Sequence, residues 1–202
     1  MSYVIQLVIL IFSAIVHEVM HGVVAEKLGD DTARLEGRIT LNPISHIDPF
    51  GTIFLPLFLL VVGSPVILGA AKPVPVNFAN LDNPKRGMAL VSLAGPLSNF
   101  ALAIAFVLPL KFGLVSGLGA EILVQAVLIN LVLGTFNLIP IPPLDGSKVL
   151  ASFAPDSWMY QILSYERFGF ILVFLFLYLG LLDRILWPVV VWFFRVFGLS
   201  LG

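Results

Sequence analysis

The sequence contains no cysteine, so it can form neither disulfides nor thiolate metal sites. It is also poor in charge, because charged residues make up 11% of its 202 residues, against about a quarter in a typical soluble domain. Eleven Lys and Arg stand against twelve Asp and Glu, and this net charge of −1 gives no basic surface for a nucleic acid. A chain with so few charges cannot cover a surface that faces water.

Long apolar runs account for the rest of the composition, which is 59% hydrophobic with a mean hydropathy of +1.04. A membrane-spanning helix needs about 20 apolar residues. Such runs lie near 3–25, 52–70, 88–110 and 120–139, and 168–197 is long enough for two shorter or tilted helices broken around residues 182–184. We therefore predict an all-α integral membrane protein with about six transmembrane helices. Five is the alternative, because Pro188 either kinks the sixth helix or marks its start.

The chain is predicted to be a single polytopic membrane domain over residues 1–202. Its catalytic core is expected at about 1–150 and its C-terminal helices at about 165–200. No basic residue precedes the first apolar run and no small-residue cleavage site follows it, so we do not expect this run to be a signal peptide.

Two polar connections predict a small membrane-associated β element. The segment RLEGRITL (34–41) alternates in polarity as a strand does. The segment KPVPVNF (72–78) is extended by Pro73 and Pro75, and a strand that contains proline belongs at a sheet edge. A plain proline-rich linker is the alternative for the second segment.

The pentapeptide HEVMH (17–21) places two of the chain's three histidines inside the first apolar run. On a helix, His17 and His21 lie on one face, one turn apart, and can bind one metal ion, for which zinc is well suited. Glu18 lies beside them, where it can reach water without binding the metal. An ionisable group inside a bilayer costs roughly 2–3 kcal/mol, which favours a functional role over ordinary hydrogen-bonded core histidines.

A catalytic zinc site takes three protein ligands, so a further ligand is expected elsewhere. The acidic candidates in or beside apolar segments are Glu121, Asp145, Glu166 and Asp183. Asp183 can pair with Arg184, and both glutamates fit at helix ends near water. Asp145 is favoured, because the prolines of FNLIPIPPLDG end a helix and can carry it into the bundle on a rigid loop. The alternative is an aspartate that caps the next helix.

Together these motifs resemble the site-2 protease family of intramembrane zinc metalloproteases. The resemblance rests on HExxH in the first span, on NxxPxPxLDG (137–146) and SLAGPLSN (92–99), and on the GRITLNP and KPVPVN connections. It implies one zinc ion on His17, His21 and Asp145, with Glu18 as catalytic acid and base and Asn137 holding substrate or oxyanion. No stretch is long or polar enough for the PDZ or CBS domains of many relatives, so a minimal short form is expected.

The resemblance further implies an intramembrane zinc metalloendopeptidase, a multi-pass protein of the cell membrane. Its partners would be the lipid bilayer and membrane proteins, cut in or near their transmembrane segments. One alternative is another membrane metalloprotease class, in which Glu121 or Glu166 would bind zinc. A second alternative is a membrane metal transporter or metal-binding protein that uses the same histidines.

Three further polar or small positions have expected roles. Asn99 is expected to bond neighbouring helices or the Asp145 loop behind the metal ligands. Gly95 and Pro96 would allow helices to approach closely. His46 is expected to be satisfied by Asp48 or by backbone, because a fourth protein ligand would close the catalytic position.

Overall fold

The computed structural model describes residues 3–48, 54, 61 and 72–199. Within these residues the regular structure is entirely helical. The helices are α1 (Tyr3–Lys27), α2 (Thr32–Leu35), α3 (Pro84–Lys111), α4 (Leu118–Asn137), α5 (Asp145–Phe153), α6 (Asp156–Ser164), α7 (Gly169–Tyr178) and α8 (Leu181–Val196), with short 3-10 turns at Pro43–His46, Phe78–Asn80 and Tyr165–Phe168.

Three of these helices, α1, α3 and α4, are long and apolar enough to cross a membrane. They coincide with the predicted spans at 3–25, 88–110 and 120–139. The polarity of α1 is inverted relative to a soluble helix: Leu7, Val8 and Ile11 are exposed, while Ser13 and His17 are buried. An outward apolar face of this kind suits lipid, and the chain is a membrane protein.

Helix α3 lies at the centre of the bundle and packs against both α1 and α4. It begins where the Asn83 side chain accepts the backbone N–H of Arg86 and where Pro84 occupies the first turn. Further along, its apolar side chains form a core with those of α4 and α8. The fully buried members are Ala103, Val107, Val127, Leu131, Val190, Phe193 and Phe194.

The C-terminal region forms two helices, as predicted, but the break between them lies earlier than expected. Gly180, with a φ of 64°, separates α7 from α8, so Asp183 and Arg184 fall inside the first turn of α8. Pro188 lies within α8 and does not mark its start. The helices have 10 and 16 residues, fewer than the roughly 20 that a straight span needs. The predicted span 52–70 falls outside the described residues, apart from positions 54 and 61.

The predicted strand over 34–41 is wrong. Its start is helical in α2, and Gly37, with a φ of 63°, turns the chain directly afterwards. The two polar connections do meet, but a side chain joins them, because the Arg38 guanidinium donates to the carbonyl oxygens of Lys72 and Pro73 at 2.9 and 3.3 Å. Residues 72–77 are irregular, which agrees with the linker interpretation.

Candidate metal centre

Two histidines of α1 point into the helix bundle. His17 and His21 lie one turn apart on the buried face of α1, with exposed fractions of 6% and 8%. Their rings stand nearly perpendicular, at 83°, with centroids 4.7 Å apart. At about 1.5 Å per residue, His17 lies about 21 Å from the start of α1 and about 15 Å from its end, so it is near the middle of the span.

The proton positions on both rings follow from what their Nδ1 atoms face. Nδ1 of His17 lies 2.6 Å from Oδ1 of Asn99, and Nδ1 of His21 lies 2.7 Å from the carbonyl oxygen of Val91. Both oxygens can only accept a hydrogen bond, so each Nδ1 carries a hydrogen, and Nε2 is the nitrogen of each ring that is left to bind a metal ion. This is the arrangement that metal-binding histidines have, with the second nitrogen held by an acceptor.

A proline-rich loop brings Asp145 against these histidines, 128 residues from His17 in sequence. Helix α4 ends before the prolines, as predicted, and Asp145 is the first residue of α5. Gly146 packs on the carbonyl oxygens of Leu138 and Ile139, and a Cβ at this position would overlap the Leu138 backbone. Glycine therefore allows the start of α5 to fold back tightly onto the end of α4.

Three lone-pair donors meet at one point in this arrangement. Oδ2 of Asp145 lies 3.1 Å from Nε2 of His17 and 3.2 Å from Nε2 of His21. Donor atoms that are each about 2.0–2.1 Å from a tetrahedral zinc ion are about 3.3 Å apart, so these spacings fit one zinc ion. An ideal Cβ on Gly95 would lie 2.5 Å from both Nε2 atoms, so glycine here leaves the space beside the donors open. The group can hold a metal ion.

The carboxylate of Asp145 is turned into the site, where its Oδ2 faces both Nε2 atoms, and a deprotonated carboxylate is a known zinc ligand. Leu144, and not Asp145, is the N-cap residue of α5, and the Asp145 carboxylate faces the two histidines, so the capping alternative has no support.

A cavity of about 440 Å³ opens beside the three donors, and Glu18 lines it. Glu18 is half-buried, and its Oε2 accepts the backbone N–H of Val74 at 2.9 Å. This bond fixes the carboxylate at the cavity wall, where its other oxygen can accept a hydrogen bond from water. Asn137 also lines the cavity, and its amide nitrogen donates to the carbonyl oxygen of Leu133 at 3.0 Å.

The other acidic candidates lie apart from the donor group. Glu166 lines the cavity, but its Oε1 faces Nζ of Lys148 at 3.8 Å. Lys148 also lies 3.9 Å from Oδ1 of Asp145. Glu121 is exposed in the first turn of α4, at the opposite end of that helix from Asn137. Among the described residues, the group of three that can hold a metal contains neither glutamate.

His46 and Asn99 lie where the sequence predicted. Nε2 of His46 is 2.8 Å from the carbonyl oxygen of Thr40, so backbone satisfies one nitrogen of this buried histidine, while its Nδ1 has no hydrogen-bond partner among the described residues. Asn99 is fully buried and stands directly behind His17. The sequence reasoning missed Val74, because its contribution is a backbone N–H that no side-chain pattern records. It also missed Asn130, for which the available signal was an amide side chain inside an apolar span.

Asp30 fixes the segment that borders the cavity. Its carboxylate accepts the backbone N–H of Asn77 at 2.7 Å, the Asn80 side chain at 3.0 Å and the backbone N–H of Thr32 at 3.2 Å. Burial would raise the pKa of Asp30, but a hydrogen bond from the Thr32 hydroxyl, together with these three bonds, outweighs burial and lowers the pKa. The end of α1 and the segment 72–80 are thereby joined.

Comparison with known proteins gives an independent line of evidence. The profile of "Peptidase family M50" matches residues 5–121 and 114–179. The chain is 41% identical over 191 residues to "Putative zinc metalloprotease YwhC" of Bacillus subtilis, covering 89% of this chain and 82% of that protein. It is 28% identical over 197 residues to "Putative zinc metalloprotease Rip2" of Mycolicibacterium smegmatis, covering 94% of this chain and 73% of that protein. No solved structure matches the chain.

Proposed function

The chain belongs to peptidase family M50, the site-2 protease family, and is a zinc metalloprotease; we propose that it hydrolyses peptide bonds in or near the transmembrane segments of other membrane proteins. The observation that carries this proposal is the convergence of three buried lone-pair donors at mid-depth in an apolar helix bundle, beside a cavity lined by Glu18. A protein that acts from this position is a multi-pass protein of the cell membrane.

The residues that would hold the zinc ion are His17, His21 and Asp145, one ion per chain. Zinc bound there supplies Lewis acidity, which polarises a peptide carbonyl and lowers the pKa of water. The anionic Asp145 balances part of the charge of the ion, and the Nδ1–H groups of both histidines stay bonded to Asn99 and to the Val91 carbonyl. The three side chains are thus preorganised for metal binding.

Glu18 is the proposed general base and acid. Its carboxylate takes a proton from water as the water oxygen forms a bond to the carbonyl carbon of the substrate. Glu18 then gives that proton to the amide nitrogen as the C–N bond breaks, which yields a carboxylic acid, with the second hydrogen of the water, and a free amine. The N–H of Val74 holds one carboxylate oxygen, so the other is directed to the water.

Asn137 is the proposed donor to the carbonyl oxygen of the substrate. One hydrogen of its amide nitrogen is used by the Leu133 carbonyl, which leaves the second for the cavity. A neutral donor that is already oriented stabilises the negative charge that develops on this oxygen in the transition state.

The substrate must be extended at the site, since a helix hides its carbonyl groups in its own hydrogen bonds. The segment 72–77 contributes Pro73, Val74 and Val76 to the cavity lining. An unwound substrate segment is proposed to lie along this irregular segment and to donate to its carbonyl oxygens, because Pro73 and Pro75 have no N–H and the N–H groups of Lys72, Val74 and Asn77 are already bonded.

Replacing Asp145 by Ala tests the ligand assignment. We expect the purified variant to lose its one equivalent of zinc, whereas Asp183→Ala, an exposed carboxylate in α8, should retain it. Full zinc content in Asp145→Ala would reject the assignment and favour a glutamate ligand. A metal transporter is tested separately, because it would move metal into vesicles without cleaving a membrane-embedded substrate.

A further inference from the structure

A fully buried chain of amide side chains extends from the metal centre toward the other end of the bundle. It joins His17 of α1 to Asn99 of α3 and Asn130 of α4, and it returns to α1 at Ser13. Asn99, Asn130 and Ser13 are each 0% exposed. A buried amide group is costly unless each of its polar atoms is bonded. The donor and the acceptor of every hydrogen bond in this network can therefore be assigned.

The direction is fixed at Asn130. Its amide nitrogen donates to the carbonyl oxygen of Ala126 and to Oγ of Ser13, both at 2.9 Å. The Ala126 carbonyl can only accept, so Asn130 cannot rotate its amide by 180° without placing two oxygens against each other. Oδ1 of Asn130 must therefore face Asn99, whose amide nitrogen donates to it at 3.0 Å.

The same constraint passes through Asn99 to His17. Because the amide nitrogen of Asn99 faces Asn130 and the Ser13 carbonyl, at 3.0 and 3.3 Å, its Oδ1 faces Nδ1 of His17. If Asn99 were reversed, its N–H would donate to Nδ1, and the ring hydrogen would move to Nε2, toward Asp145. A histidine in that tautomer has no lone pair for the metal. Without Asn130, only the longer 3.3 Å bond to Ser13 would oppose this reversal.

We infer that Asn130, which touches neither metal nor substrate, is a positioning residue that keeps His17 in its zinc-binding tautomer by fixing the orientation of the Asn99 amide. This inference rests on the proposed binding of zinc by His17. A residue that only joins helices would affect stability. Replacing Asn130 should also change the zinc affinity and the position of the ring proton on His17.

The chain offers a matched control for helix packing. Gln125, on the same helix as Asn130, also bonds to α1, where its Oε1 accepts from Nε2 of Gln6 at 3.4 Å. None of its described hydrogen bonds reaches His17. Asn130→Leu and Gln125→Leu therefore each remove an amide contact between α1 and α4. Only Asn130→Leu should change the tautomer of His17.

The experiment measures zinc affinity of the full chain in detergent by competition with a chelator. Loss of a group that orients a metal-binding histidine costs about 10–100-fold in affinity, so we expect Asn130→Leu to weaken binding roughly tenfold and Gln125→Leu to leave it unchanged. In the metal-free protein, ¹⁵N spectra should show Nδ1 of His17 fully protonated in the wild type and partly unprotonated in Asn130→Leu. Asn99→Leu should weaken binding further, and adding Asn130→Leu to it should have no additional effect.

Equal zinc affinity and equal His17 spectra in Asn130→Leu and wild type would overturn the inference, as would additive effects of Asn99→Leu and Asn130→Leu. Should Asn130→Leu fail to fold, Asn130→Ser is measured in its place with the same two readouts. Failure of the proposed function looks different, because His17→Ala would then retain zinc in an otherwise normal protein.

Discussion

At the scale of single residues, Gly95 of α3 lies against the two histidines proposed to bind the metal ion. Helix propensity alone would favour alanine over glycine at this position, but Pro96 follows directly, and a proline disfavours helical backbone in a preceding residue that carries a Cβ. A Cβ on Gly95 would also lie 2.5 Å from Nε2 of both His17 and His21. Glycine therefore serves the helix before Pro96 as well as the space beside these two nitrogens.

Gly95→Ala is expected to lower zinc affinity by more than roughly tenfold while the helices remain formed. The measurement compares zinc content with the far-ultraviolet circular dichroism of the same preparation. Gly119→Ala in the first turn of α4 is the control, because its Cβ would meet a methyl group of Val115 and no atom of the metal site. Normal zinc affinity in Gly95→Ala would show that this space is not where the ion binds.

The sequence allowed the principal site residues to be predicted, but not the groups that orient them. His17, Glu18 and His21 are set by helical spacing, and Asp145 could be chosen over other acids because prolines forced a loop before it. The structure brings Asp145 to His17 and His21 across 128 residues of sequence, while the roles of the four residues stay predictions. Asn130 could not be assigned, since the direction of an amide depends on partners in two other helices.

At the scale of elements, the three long helices were predictable and the connections were not. Apolar length alone identifies α1, α3 and α4, whose ends lie within four residues of the predicted bounds. The strand over 34–41 failed because alternation was read without regard to Gly37 and to a side chain, Arg38, that binds the facing backbone. Local polarity does not reveal whether a backbone group will pair with backbone or with a guanidinium.

The segment 72–77 has a direct role at the site through one backbone bond. Val74→Pro removes the N–H that donates to Glu18 and is expected to lower kcat about 10–100-fold, since a hydrogen bond to a charged group contributes about 1.5–3 kcal/mol. Cleavage rates of a membrane-embedded substrate would be measured for this variant and for Val74→Ala, which keeps the N–H and loses only side-chain packing.

Zinc content serves as the second readout for this pair, because Val74 touches no proposed zinc ligand in the described contacts. Both variants should bind one equivalent. A fall in rate that is equal in Val74→Pro and Val74→Ala would assign the effect to packing and contradict a role for the backbone donor.

At the scale of the whole molecule, apolar side chains lie on the outside of the bundle and polar side chains lie inside it. The bundle exposes apolar side chains on α1 and buries His17, His21, Asn99, Asn130 and Asp145. Such groups are costly at membrane depth unless they are paired, and each of these five bonds or faces another of them. The membrane thus places the chemistry at the depth of the proposed substrates, and the cavity provides the space in which water meets them.

The central claim is that Glu18 performs proton transfer for hydrolysis within the membrane without binding the metal. The most direct measurement compares wild type and Glu18→Gln in liposomes with a substrate whose cleaved segment spans the bilayer, with zinc content determined on the same samples. General acid–base catalysis contributes about 10²–10⁴-fold, so cleavage should fall at least about 100-fold while one equivalent of zinc remains. Cleavage at the wild-type rate by Glu18→Gln with its zinc retained would contradict the account.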